Sequence, residues 1–169
     1  PIVAATAGIG AISKLGMDVE QTNIQFEVLL GSQSKAAALL NQMNDYAAKT
    51  PYEKLDLQDA AKTMLAFGIA QDRIMPNMKM LGDVAMGNKE KLSSLTLAFS
   101  QISSAGKMQG QDFIQLINAG FNPLKEISKM TGRSMADLKK DMEKGNISAE
   151  LVSKAFEHAT SKGGLFYGM

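Results

Sequence analysis

Apolar residues recur along this chain at steps of three and four, and glycine, proline and small polar residues interrupt them at short intervals. That pattern predicts a string of short helices with tight connections. The clearest stretch runs from Lys89 to Ala105, where Leu92, Leu95, Phe99 and Ile102 form the stripe a helix lays against a core. Upstream, a helix is expected from Ser32 to about Lys49, with Ala37, Leu40, Met43 and Ala47 sharing a face. Thr50-Pro51 ends it, because the residue before proline is pushed out of helical geometry. The next helix is expected to take Asp56 as its N-cap, to run from Leu57 to Phe67 and to stop at Gly68. Another starts near Asp72, with Pro76 tolerated in or near the first turn; it buries Met78, Leu81 and Ala85, and Gly87 closes it.

Beyond Lys89–Ala105, Gly106 and Gly110 bracket a turn, and Gln111 to Ala119 presents Phe113, Leu116 and Ile117 on one side before Gly120 breaks the chain. Three short helices follow: about Pro123 to Met130, Met135 to Lys144, and Ala149 to about Ser161, with Ser134 and Ser148 as caps of the last two. Val19 to Leu30 is ambiguous by periodicity, since Ile24, Phe26, Val28 and Leu30 alternate like a strand while Val19, Phe26 and Leu29-Leu30 also suit a helix. The absence of a second strand candidate favours helix, because an isolated strand would leave backbone groups unpaired. The fold class is therefore all-α: a compact bundle of about seven to nine short helices with Gly/Pro-punctuated connections.

Composition agrees with a water-soluble globular domain: 45% of the 169 residues are hydrophobic and 21% charged. Eighteen Lys and Arg against seventeen Asp and Glu leave a formal charge of +1, so no net field draws in a polyanion or an anionic membrane. With no cysteine there is neither a disulfide framework nor a thiolate nucleophile. The stretch Ile2 to Leu15 is apolar and rich in small residues but shorter than the roughly 20 residues a membrane span needs, and it lacks a basic leader. Residues 1–16 are expected to be a helical lead-in, the end of a longer segment, and 17–169 a single domain; opening on Pro1, the chain reads as a piece of a longer protein.

Catalytic and binding chemistry finds little footing. His158 is the only histidine, so a zinc site would rest almost wholly on carboxylates, unusual for that metal, and no nucleophile elbow supports a triad. A phosphate loop at Gly106-Lys107 fails at Gln101 and Met108, and the SxxK spacings at Ser32–Lys35 and Ser104–Lys107 lack the companion motifs of penicillin-recognising enzymes. Asp56, Asp59, Asp72, Asp83, Asp137 and Glu150 fall mostly at expected helix starts or solvated faces, where capping and the helix dipole account for them. Met75, Met78, Met80 and Met86 suit either core filling or an adaptable binding face. The lysines between Asp137 and Lys144 alternate with acids and lack interleaved aromatics, so no nucleic-acid groove is evident. No cofactor and no metal is expected.

Three blocks carry a specific resemblance: LLGSQSKAAALLNQMNDYAAKTPYE from Leu29 to Glu53, LQDAAKTMLAFGI from Leu57, and the long run MLGDVAMGNKEKLSSLTLAFSQISSAGKMQGQDFIQLINAGFNPLKEISKMTGRSM. With the closing ISAELVSKAFEHATSKGGLFYGM they resemble, in order and over about Met17 to Tyr167, the N-terminal tape-measure domain of phage and prophage tail tape-measure proteins. Segments such as AGKMQGQDF and INAGFNPL combine glycine, amide and aromatic residues at spacings that helix periodicity alone does not demand.

The resemblance implies a virion structural component, not an enzyme, whose full-length form sets tail length while tube subunits polymerise around it and later helps deliver the genome. It implies tail tube, tail-tip or baseplate and tail assembly chaperone proteins as partners, an oligomer in the virion, and a place in the phage tail after assembly in the host bacterial cytoplasm. Membrane contact is allowed only for the full-length protein. A docking surface is expected around Gly106 to Asn122, carried by Lys107, Gln109, Gln111, Asn118 and Asn122, because its apolar and amide residues exceed what one turn requires. A buried helix-turn-helix corner would account for the same residues. A tail-associated cell-wall hydrolase and a membrane-active helical module are the alternatives.

Overall fold

The computed structural model describes residues 19–169, so the expected lead-in 1–16 lies outside the described residues. Nine helices follow in order: α1 (residues 19–30), α2 (Gln33–Lys49), α3 (Lys54–Ala66), α4 (Gln71–Ala85), α5 (Lys89–Ala105), α6 (Gly110–Asn118), α7 (Pro123–Thr131), α8 (Met135–Glu143) and α9 (Ala149–Thr160). The fold class is all-α as expected, and among the described residues the one extended pairing is an isolated antiparallel bridge between Lys107 and Ser148. The described residues divide into two compact units, 19–42 and 43–169.

In the first unit the ambiguous stretch is helical. Of its alternating apolar residues only Phe26 is buried, while Val19, Ile24, Val28 and Leu29 are exposed, so the alternation does not mark two faces of a strand. Ser32 caps α2 by accepting from the Lys35 N–H at 3.3 Å. The buried residues of α2 are Ala36, Leu39, Leu40 and Met43; Leu40 and Met43 are inward as expected, whereas Ala37 is exposed and Ala47 half-buried.

In the second unit α3 begins at Lys54, earlier than expected. Asp56 is the third residue of the helix and reaches back to accept the Glu53 N–H at 3.0 Å. A short carboxylate can serve from either side of a helix start, and the sequence does not separate the two. Pro76 stands at the sixth position of α4, beyond the first turn, where the missing N–H removes the bond that Asp72 would have accepted. The cap of α4 is Met86, in left-handed geometry at φ 51°, ahead of Gly87.

Tyr52 ties the last turn of α4 to the residues just beyond it. Its hydroxyl donates to the Gly82 carbonyl at 2.6 Å and accepts the Gly87 N–H at 3.0 Å. Tyr46 stacks against it with ring centroids 6.4 Å apart, and burial, reinforced by the charge of Asp83, pushes the Tyr46 hydroxyl well above its ordinary pKa. Burial likewise raises Asp83. A Cβ at Gly82 would run into the Tyr46 hydroxyl, which explains a glycine in mid-helix despite its entropic cost.

α5 is the centre of this unit and packs on α3, α4, α6 and α9. Leu92, Leu95, Phe99 and Ile102 are buried as expected, each contributing roughly 1.5–3 kcal/mol of apolar burial. Phe156 of α9 meets Phe99 edge-on at 5.4 Å and stacks on Phe121 at 4.1 Å. α7 packs on both α8 and α9. The expected caps hold: Ser134 and Ser148 each accept a backbone N–H at 3.1 Å.

Candidate functional site

α5 ends at Gly106, whose φ of 81° is the left-handed conformation that favours glycine, and this redirects the chain toward α6. The turn is held from outside its own sequence. Met108 N–H donates to the Ile147 carbonyl at 2.8 Å and Ala149 N–H to the Gly106 carbonyl at 2.9 Å, so the α5–α6 and α8–α9 connections form one paired corner. Gly110 is the first residue of α6 and not part of the turn, contrary to expectation, because Asp112 accepts the Gln109 N–H at 3.0 Å and starts the helix there.

The five residues expected to form a docking surface do not make one cluster. Lys107 sits exposed in the paired corner with its side chain beside Gly145, Gln109 caps α6, and Gln111 is exposed in its first turn. Asn118 closes α6, and Asn122 is the cap of α7, accepting the Lys125 N–H at 3.0 Å. The two groups stand at opposite ends of a nine-residue helix, roughly 13 Å at about 1.5 Å per residue. Gln109 and Asn122 thus have work in the fold, while Gln111 and Asn118 have no bond of that kind.

Between those ends, Gln111, Ile114 and Asn118 follow one another at helical spacing on an exposed stripe, with Ile114 59% exposed. Ile117, expected to be inward with Phe113 and Leu116, is exposed instead; the inward residues are Leu116 and the half-buried Phe113. α6 is apolar on more than the one side it can bury. Beside the stripe, α5 and α6 enclose a groove of about 320 Å3 bordered by Glu90, Lys91, Leu97, Gln115, Asn118 and Ala119. Leu97 is exposed, and the Gln115 carboxamide oxygen is buried without a hydrogen-bond partner.

The titratable residues are dispersed. Asp56 and Asp59 border a second, shallow groove with Lys89 and Glu90, whereas Asp72, Asp137 and Glu150 stand in the first turns of separate helices, where they favour the helix dipole. Glu150 pairs with Lys154 at 3.4 Å. Among the described residues no group of three or more His, Cys, Asp and Glu is placed to hold a metal ion. Met75 and Met78 are core residues, while Met86 is exposed at the end of α4.

Sequence reasoning missed one polar contact. Glu126 of α7 is 5% exposed and its Oε1 lies 2.5 Å from Nδ1 of His158 on α9, with Lys129 at 3.9 Å from its other oxygen. A buried carboxylate requires such partners. The two residues are 32 positions apart, and no local spacing announces the pair.

The described residues form an all-helical scaffold that carries an uncharged exposed stripe on α6. The chain belongs to the tape measure protein family, whose model matches residues 10–169. Membership assigns it a tape-measure role in the phage tail, within a family of structural proteins. No curated protein and no solved structure matches the chain. Among the described residues no helix is long and apolar enough to cross a membrane, and Ile2 to Leu15 lies outside them.

Proposed function

We propose that this module is a docking and assembly piece of the tape measure protein, and that the rest of the full-length chain supplies the ruler that sets tail length. A ruler works because helix length is proportional to residue number, about 1.5 Å each. Among the described residues the longest helices, α2 and α5, have 17 residues each, so the module serves by holding partners. The partners are tail tube, tail-tip or baseplate and tail assembly chaperone proteins, met in the host cytoplasm during assembly and retained in the virion, with a later contribution to genome delivery.

The observation that carries this reading is the outward face of α6. Gln111, Ile114, Ile117 and Asn118 are exposed on a helix whose opposite face is fixed by Leu116, and none of them bears a charge. Depletion of charge with retained apolar area marks the centre of protein interfaces.

The test uses Gln111→Ala, Ile114→Ser and Asn118→Ala in the full-length protein, scored by tails assembled in cells lacking the native copy. These positions avoid the caps Gln109 and Asn122, whose loss would disturb folding. A fall in tail number with an unchanged melting profile of the isolated module supports docking. Full tail assembly by all three variants rejects it.

A further inference from the structure

We draw no further inference here: the strongest candidate, the groove that α4, α5 and α9 border at Arg73, Asn77, Phe99 and Glu150, carries nothing because the Asn77 carboxamide oxygen is closed off inside the fold, Arg73 and Glu150 already pair with Glu157 and Lys154, and nothing in the structure shows what fills it.

Discussion

α6 and α9 both pack on α5, yet they use their remaining surface in opposite ways. α9 turns Val152, Ala155, Phe156 and Ala159 inward and covers its outer side with charge, pairing Glu150 with Lys154 and Glu157 with Arg73. α6 buries only Leu116 completely and leaves two isoleucines and two amides in solvent. A helix that folding alone had shaped would resemble α9, with one apolar stripe and a solvated back. On the proposed docking reading, the apolar excess of α6 is what a partner surface costs in solubility, and it separates residues that hold the fold from residues that fold stability does not require.

That contrast can be broken at graded points. The largest effect is expected from Phe156→Ala in α9, which removes both ring contacts at the centre of the second unit and should destabilise by about 3–5 kcal/mol in denaturant unfolding. His158→Ala should cost about 1–3 kcal/mol, because it leaves the buried Glu126 oxygen without its nearest partner while Lys129 stays 3.9 Å from the other. Ser148→Ala removes the α9 cap and should cost about 1 kcal/mol by the same measurement. Ile114→Ser on α6 should change unfolding by no more than about 0.5 kcal/mol. A loss on α6 as large as that at Phe156 would make its outer face part of the core and erase the distinction between the two helices.

Much of the helix string was legible because its signals are local. Lys89–Ala105 has its expected bounds, since the Leu92, Leu95, Phe99 and Ile102 stripe runs unbroken up to Gly106. Ser134 and Ser148 were likewise read correctly, as a serine cap acts within three residues. Errors arose where two local solutions are equivalent: Asp56 acts inside α3 and not at its cap, and Gly110 opens α6 instead of closing a turn. On α6 the spacing of Phe113, Leu116 and Ile117 suggested one buried side, but a helix has room for only so many neighbours, and Ile117 remained outside. The residues expected to dock were drawn from one continuous stretch, and the rise of α6 carries them to opposite ends.

The sequence by itself determined the all-helical class, the order of the elements and the family, because periodicity, capping and the order of blocks are properties of neighbouring residues. Only the tertiary structure decided which apolar residues face water, that Gly82 must be small beneath Tyr46, that Glu126 meets His158, and that the α5–α6 and α8–α9 connections pair. Those depend on contacts between segments tens of residues apart, whose geometry is set by packing and leaves no periodic mark in the chain.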